Sequence, residues 1–273
     1  MSKGSLFAYL QLTRPANVVT AIADIWAGFA IAGAWTFMQV DWSQGAGDFW
    51  QNLLWLSIST IGLYGGGVAF NDIADADLDS VERPERPIPS GRASKKNAIL
   101  MASCLLLGGI FFAFLVNIFA GFLAIAIAIC ALSYDFWGKH QQLFGPINMG
   151  LCRAGNLLLG VAVAPEVLQK LWPIGVLPLI YVAAITMVSR GEVHGKNKKA
   201  LFGGFGLYIL VISGITFLAK VQKPGSWEVF PFLILLAFMI FPPLTRAIQK
   251  QEPALIGKSV KAAVISLIIV NAS

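Results

Sequence analysis

Residues 53–79 read LLWLSISTIGLYGGGVAFNDIADADLD. The first part of this stretch, up to Phe70, is uncharged and almost wholly apolar, and as a helix it is long enough to cross a hydrocarbon core roughly 30 Å thick. The second part begins at Asn71 and carries four aspartates within nine residues. Because ionised carboxylates are costly inside lipid, such a segment belongs at a membrane surface. The stretch therefore predicts a helical membrane protein with polar chemistry at one surface.

Apolar stretches of this kind recur along the whole chain of 273 residues, of which 57% are hydrophobic and 12% charged. Soluble domains average about 25% charged residues. The segment 1–14 mixes polar and apolar side chains, and we expect it to lie on the membrane as an amphipathic helix. We expect residues 1–273 to form a single, all-α integral membrane domain. Hydropathy predicts nine transmembrane helices, near residues 17–37, 50–70, 98–117, 120–134, 145–164, 171–189, 200–219, 227–243 and 256–272.

The Lys and Arg residues are distributed unequally between the two sides of the predicted membrane. With the N-terminus in the cytoplasm, 16 of the 20 fall on the cytoplasmic side, three fall on the opposite side, and Arg153 lies within the fifth predicted span. An error in the helix count midway along the chain would abolish this bias. The pattern therefore predicts a multi-pass protein of the inner (cell) membrane with nine spans and a cytoplasmic N-terminus. Topology also accounts for the net charge of +6, so we expect no nucleic-acid partner.

The acidic segment after the second span has the composition of a metal site. Helical spacing places Asn71, Asp75 and Asp79 on one face, with Asp72 beside them. These carboxylates repel one another, and negative charge at a helix C-terminus opposes the helix dipole. A bound cation removes both penalties, and oxygen ligands of this kind favour Mg²⁺, which commonly uses one or two carboxylates plus substrate phosphates. The alternative is a solvated acidic loop that is neutralised by the arginines following it.

Three further motifs accompany the acidic segment. The sequence ERPERPIPSGR occupies residues 82–92, Arg14-Pro15-x-Asn17 opens the first span, and Leu132-Ser133-Tyr134 closes the fourth. Together with Asn-Asp-x-x-Asp-x-x-x-Asp at residues 71–79, they resemble the signatures of the UbiA superfamily of intramembrane prenyltransferases. The resemblance implies a helical bundle around a central, lipid-accessible cavity. It also implies an active site that faces the cytoplasm beneath two cap loops, 71–97 and 189–199.

The resemblance further implies an activity and its residues. Superfamily enzymes move a prenyl group from a polyprenyl diphosphate, held in the lipid bilayer, to a small-molecule acceptor with Mg²⁺ as cofactor. By analogy, the catalytic residues are Asp72, Asp75, Asp79 and Glu192, and these four and Asn71 hold the metal. Arg153 could equally form a structural ion pair inside the membrane. Tyr134 could equally be an anchor at the membrane interface. The residues that we expect to bind substrate are Arg14, Asn17, Asn71, Arg83, Arg92, Tyr134, Lys139, Arg153, Arg190 and Lys196.

The second motif departs from the superfamily pattern. Residues 189–199 read SRGEVHGKNKK, so that Glu192 stands for the first aspartate of an Asp-x-x-x-Asp motif whereas Lys196 takes the place of the second. One interpretation is that lysines of this segment, such as Lys196, contact the diphosphate directly, since lysine is a competent phosphate partner. The other is that the site binds a polyprenyl diphosphate without turning it over efficiently.

The same segment, together with MGLCRA-x-N at residues 149–156, resembles the UbiA-like EboC branch of the superfamily. Two hypotheses about function follow. The first is a Mg²⁺-dependent prenyltransferase with an unidentified acceptor. The second is a non-catalytic, polyprenyl-diphosphate-binding component of a secondary-metabolite export or biosynthesis system. An ion-coupled transporter using Asp24 and Arg153 is a weaker idea, because the acidic cluster lies at the membrane surface.

Overall fold

A computed structural model describes residues 3–37, 46–192, 195, 197–222 and 227–273. These described residues form twelve α-helices and no β-strand. The helices are α1 (Lys3–Leu12), α2 (Pro15–Phe37), α3 (Ala46–Ala74), α4 (Ala76–Glu82), α5 (Lys95–Phe114), α6 (Ile118–Phe136), α7 (Phe144–Val161), α8 (Pro165–Leu171), α9 (Val176–Ser189), α10 (Lys198–Gln222), α11 (Phe230–Lys250) and α12 (Pro253–Ala272).

Eight helical segments of the described chain are long and apolar enough to cross a membrane. They lie in α2, α3, α5, α6, α10, α11 and α12 and in the stretch that runs from α8 through α9. Each overlaps one of the nine predicted spans. The remaining predicted span, 145–164, corresponds to α7, in which Asn148, Arg153 and Asn156 lower the hydropathy. A ninth crossing and the cytoplasmic N-terminus stay predictions.

Much of the first expected cap loop is helical. Helix α3 continues through Asn71 to Ala74, and after a break at Asp75 the chain forms α4. The Asp75 N–H donates to Asn71 O at 3.0 Å, and the Asp79 N–H donates to Asp75 O at 2.8 Å, so helical hydrogen bonding bridges the break. The acidic side chains therefore project from a helix and its short continuation. The helix tolerates this charge because cationic side chains from other segments pair with it.

The amphipathic segment at the N-terminus forms α1, as far as it is described. Ala8, Tyr9 and Leu12 are buried, whereas Leu6 and Phe7 are exposed. The Tyr9 hydroxyl accepts a hydrogen bond from the Ser94 N–H at 3.1 Å, which ties α1 to the start of α5. An exposed apolar face on a short surface helix is typical of a segment that lies on a lipid surface. That location stays a prediction.

The chain divides into two compact units. The first comprises Met1–His140 and Gly155–Trp172, and the second comprises Gln141–Ala154 and Pro173–Ser273. In the second unit, α9, α10, α11 and α12 share an apolar core. The buried rings of Tyr181 and Tyr208 lie 5.2 Å apart within it, and the Tyr181 hydroxyl donates to Ala263 O at 2.9 Å.

Close packing of α3 against α5 shapes the first unit. A Cβ added at Gly62 would lie 2.5 Å from Leu105 O, and one added at Gly66 would lie 2.9 Å from Ala102 O. Only glycine permits two helix backbones to approach so closely. The apolar half of residues 53–79 is thus fixed against α5, and this packing holds the acidic end of α3 in place.

A buried polar network joins three helices of the first unit. The Thr60 hydroxyl donates to Asn156 Oδ1 at 2.6 Å, and Asn156 Nδ2 donates to Ala21 O at 2.8 Å and to Asp24 Oδ2 at 3.1 Å. Polar side chains buried in an apolar environment are normally hydrogen-bonded in this way. The network therefore links α2, α3 and the second half of α7.

Candidate active site

The first contact of the site joins the break between α1 and α2 to the end of α3. Arg14 lies in this break with φ at 46°, a left-handed conformation that costs a residue other than glycine about 1–2 kcal/mol. Its Nη2 group donates to Asp72 Oδ1 at 2.6 Å. Backbone strain of this kind persists where surrounding contacts hold it, and it clusters at functional sites. The conformation of Arg14 therefore places a guanidinium group on the first motif aspartate.

The second cation of the site comes from the proline-rich segment after α4. Arg86 Nη1 lies 3.1 Å from Asp72 Oδ1 and 2.6 Å from Asp79 Oδ2, so one guanidinium group bridges two carboxylates. A turn holds this segment, because the Ala93 N–H donates to Pro87 O at 2.9 Å and Gly91 has φ at 72°, which favours glycine. Arg86 was absent from the residues that we predicted.

The third cation follows α6. Lys139 donates a short hydrogen bond to Asp75 Oδ1. Four residues before Lys139, Asp135 is buried at the end of α6. Its Oδ1 atom accepts a hydrogen bond from Asn71 Nδ2 at 3.0 Å. Two contacts thus connect the end of α6 to the first motif, one through a cation and one through an additional carboxylate.

The site therefore alternates anions with cations. The motif aspartates at positions 72, 75 and 79 each pair with at least one of Arg14, Arg86 and Lys139. Within the described ranges, no three His, Cys, Asp or Glu residues are grouped closely enough to hold a metal by themselves. Such an arrangement suits a ligand that carries both charges, since a diphosphate can engage the cations while its counter-cation engages the carboxylates. The oxygen-only donor set fits Mg²⁺.

Four other predicted residues of the first unit lie outside these ion pairs. Arg92 donates to Gln11 Oε1 at 2.9 Å and to Glu85 O at 2.6 Å, so it holds the proline-rich segment. Arg83 is half-buried, and its backbone N–H caps α4 through Asp79 O. Asn17 is half-buried in the first turn of α2, where its N–H donates to Arg14 O. Tyr134 is half-buried next to Asp135.

The predicted residues of the second unit are described separately. Arg153 is 7% exposed near the middle of α7. Arg190 follows α9 and donates a short hydrogen bond to Gln141 O. Glu192 is half-buried just after it, with its N–H donating to Ser189 O at 2.9 Å. Lys196 lies outside the described residues.

Two site residues escaped the sequence analysis. Arg86 belongs to the quoted proline-rich motif. What distinguishes it from Arg83 and Arg92 is its contact with Asp72, which lies 14 residues earlier in the sequence. Asp135 directly follows the Leu132-Ser133-Tyr134 motif. An acid at the very end of an apolar span, four residues before Lys139, was the available signal for it.

Curated relatives of this chain include prenyl-lipid synthases. It is 28% identical over 156 residues to a digeranylgeranylglyceryl phosphate synthase of Sulfurisphaera tokodaii, which covers 57% of this chain and 52% of that protein. It is 29% identical over 195 residues to the synthase of the same name from Ignicoccus hospitalis, which covers 71% of this chain and 60% of that protein. The chain therefore spans about half the length of the curated relatives it matches.

Solved structures with a similar fold cover nearly the whole chain. A UbiA homolog from Aeropyrum pernix has a TM-score of 0.73 at 17% identity, covering 93% of this chain and 95% of that one. A UbiA homolog from Archaeoglobus fulgidus bound to GPP and Mg²⁺ has a TM-score of 0.70 at 13% identity, covering 97% and 100%. These similarities establish an all-helical UbiA fold.

The sequence profile of the UbiA prenyltransferase family matches residues 26–265 of this multi-pass membrane protein. The profile covers most of the chain, including all three aspartates of the first motif and Arg86, Asp135 and Lys139. We conclude that the chain belongs to the UbiA prenyltransferase family.

Proposed function

We propose that this protein is a prenyltransferase that binds a polyprenyl diphosphate with Mg²⁺ and transfers the prenyl group to an acceptor. The observation that carries the proposal is the alternation of three motif aspartates with Arg14, Arg86 and Lys139 at the end of a membrane-spanning helix. Ion pairs of this kind are costly to bury, and they are retained where function uses them. The named relatives, and the prenyl diphosphate bound to a solved homolog, support the same conclusion.

The three cations would bind the diphosphate group of the donor. Arg14 and Arg86 present planar guanidinium groups, which suit bidentate contacts to phosphate oxygens, and Lys139 adds a point charge. Each cation is held beside the first motif by an aspartate, so it already lies close to the proposed position of the diphosphate. Positive charge in this position favours departure of the diphosphate.

The aspartates, with Asn71, would hold Mg²⁺. When bound, the ion supplies Lewis-acid stabilisation of the charge that develops on the leaving diphosphate. In the reaction the allylic carbon–oxygen bond breaks and both electrons leave with the diphosphate. The acceptor's nucleophilic atom then bonds to the allylic carbon and gives up its proton. The chain's apolar helices exclude water from the reacting allylic carbon. Water would otherwise attack this carbon and hydrolyse the donor.

The acceptor that we propose to test first is a glyceryl phosphate carrying one prenyl ether. The support is the name shared by the matched relatives, digeranylgeranylglyceryl phosphate synthase. We also propose that the site faces the cytoplasm, and the bias of Lys and Arg residues along the sequence supports this orientation. From the sequence alone, Glu192 stays a proposed metal ligand and Lys196 a proposed diphosphate contact.

Product analysis tests the proposal. The purified full chain would be incubated with geranylgeranyl diphosphate, Mg²⁺ and a panel of prenylglyceryl phosphate, aromatic and alcohol acceptors, and products identified by mass spectrometry. Asp75→Asn removes the carboxylate that pairs with Lys139, whereas Asp77→Asn removes an exposed carboxylate of α4 and is the matched control. We expect one acceptor class to gain a prenyl group with the wild type and Asp77→Asn, and the product to fall at least about 100-fold with Asp75→Asn.

The second candidate function is a non-catalytic carrier of polyprenyl diphosphate. Lysine at position 196, in place of an acidic ligand, is the observation that favours it. A carrier would bind the lipid in an Asp75-dependent manner and yield no prenylated product with any acceptor. That outcome would reject the enzymatic proposal.

A further inference from the structure

A cavity adjoins the ion-paired site on the α6 side. It has a volume of about 410 Å³ and lies between the ends of α3 and α6 and the start of α5. Its apolar walls include Phe70, Ile73 and Ile99, and its polar groups include Asp135 and Lys139. Lys139 lines this cavity and also pairs with Asp75, so the cavity borders the first motif.

One side chain of this cavity has an unsatisfied oxygen. Asp135 is 4% exposed, and its Oδ2 atom is buried with no hydrogen-bond partner among the described residues. Buried carboxylate oxygens almost always have a partner, so an exception calls for an explanation such as strain, a catalytic role, or contact with water or an ion. None of the three cations that pair with the motif aspartates forms an ion pair with Asp135.

The other oxygen of Asp135 orients a predicted metal ligand. Its Oδ1 atom accepts a hydrogen bond from Asn71 Nδ2 at 3.0 Å. An amide has one donor end and one acceptor end, so this contact leaves Asn71 Oδ1 as the free end. Amide oxygens are ligands that hard cations accept. Carboxylates that hold a ligand in this way commonly tune metal affinity.

We infer that Asp135 is an additional carboxylate of the Mg²⁺ site, which holds Asn71 through Oδ1 and offers Oδ2 to the cation or its bound water. The inference rests on the proposed function, because the cation is the one that accompanies the diphosphate. The ligand class is a hard divalent cation.

Direct metal binding tests this inference without reference to turnover. Mn²⁺ would stand in for Mg²⁺, and the free ion would be measured by electron paramagnetic resonance with the purified full chain, with and without inorganic pyrophosphate. Asp135→Asn keeps the size and the hydrogen-bonding shape of the side chain but removes its charge. We expect its Kd for Mn²⁺ to rise about 10–100-fold. Asp77→Asn, the exposed control, should stay within about twofold of the wild type.

A purely structural role predicts a different pattern. If Asp135 only fastened α6 to α3, Asp135→Asn would bind Mn²⁺ like the wild type, and this result would overturn the inference. Asp135→Glu, which restores the charge, should recover part of the affinity. Asp135→Cys should acquire a cadmium–thiolate absorption band on addition of Cd²⁺ that Asp77→Cys lacks. Size-exclusion profiles and circular dichroism would confirm that each variant is folded.

The outcomes separate this inference from the proposed function. If the wild type binds Mn²⁺ through Asp135 but forms no prenylated product, the role of Asp135 is supported and the prenyltransferase activity is rejected. If the wild type forms product and Asp135→Asn binds Mn²⁺ with unchanged affinity, the prenyltransferase activity is supported and the role of Asp135 is rejected. A wild type that binds no Mn²⁺, even with pyrophosphate, would also reject it.

Discussion

Arg86 holds two largely buried carboxylates at once, and its replacement by methionine tests whether cations balance the acidic motif. Its Nη1 atom lies 3.1 Å from Asp72 Oδ1 and 2.6 Å from Asp79 Oδ2. The Arg86 side chain is 20% exposed, whereas those of Asp72 and Asp79 are 8% and 6% exposed. In Arg86→Met, Asp72 keeps its contact with Arg14, but Asp79 loses its only ion pair among the described residues.

The expected loss of stability lies between two limits. Removing one partner of a fully buried ion pair costs about 3–5 kcal/mol, and an exposed pair contributes about 0–1 kcal/mol. Because the guanidinium is partly exposed and Asp72 keeps a partner, we expect a loss of about 2 kcal/mol. For a chain of this size that corresponds to a fall in apparent Tm of about 4–8 °C.

Divalent cations should reverse this loss. A ligand present at about 100 times its Kd stabilises a protein by about 2.7 kcal/mol. In the wild type the gain from Mg²⁺ is smaller, because the cation must displace Arg86 from the two carboxylates. Mg²⁺ should therefore raise the apparent Tm of Arg86→Met by more than that of the wild type.

The measurement is thermal unfolding in detergent, followed by the fluorescence of the eight tryptophans with and without Mg²⁺. One scan rate must be used throughout, since irreversible unfolding makes the apparent Tm depend on it. Arg83→Met is the matched control, because Arg83 is half-buried in the same segment but forms no ion pair with a described carboxylate. A loss below about 1 °C, or equal stabilisation of Arg86→Met and wild type by Mg²⁺, would refute the reasoning.

Two further variants test the leaving-group contact and the helix packing. Lys139→Met should lower kcat about 10²–10³-fold with saturating donor, because it removes the cation paired with Asp75. Lys95 is an exposed lysine of the same cavity, and Lys95→Met should change kcat little. Equal effects of the two variants would count against a role for Lys139 at the diphosphate. Gly62→Leu should lower the apparent Tm, because a Cβ at this position would lie 2.5 Å from a backbone oxygen and overpacking costs about 1–3 kcal/mol. A Cβ at Gly108 would meet open space, so Gly108→Leu should have little effect.

The sequence predicts most helices and the first motif because both depend on local pattern. Hydropathy identifies each span by its own composition, so eight candidate spans appear where the apolar stretches were. The aspartates at positions 72, 75 and 79 are close in sequence, and helical spacing alone brings them together. Helical spacing through residues 71–79 was thus part of the prediction, whereas a separate short helix, α4, within the expected cap loop 71–97 was not.

The partners of the motif depend on tertiary structure and were only partly predicted. Arg14 and Lys139 contact aspartates that are 58 and 64 residues away, and they were identified through family resemblance alone. The same resemblance favoured Arg92, whose guanidinium group contacts Gln11, and its role in substrate binding stays a prediction. Asp135 had a local signal, an acid at the end of an apolar span, but only the packing of α6 beside α3 shows its contact with Asn71.

The most direct test of the central claim is pyrophosphate release from geranylgeranyl diphosphate by the purified protein, measured with and without Mg²⁺ and acceptor, for the wild type and Asp75→Asn. The proposed enzyme releases pyrophosphate only when Mg²⁺, acceptor and Asp75 are all present. Tight binding of the diphosphate lipid without release under any of these conditions would contradict the claim and identify a non-catalytic binder.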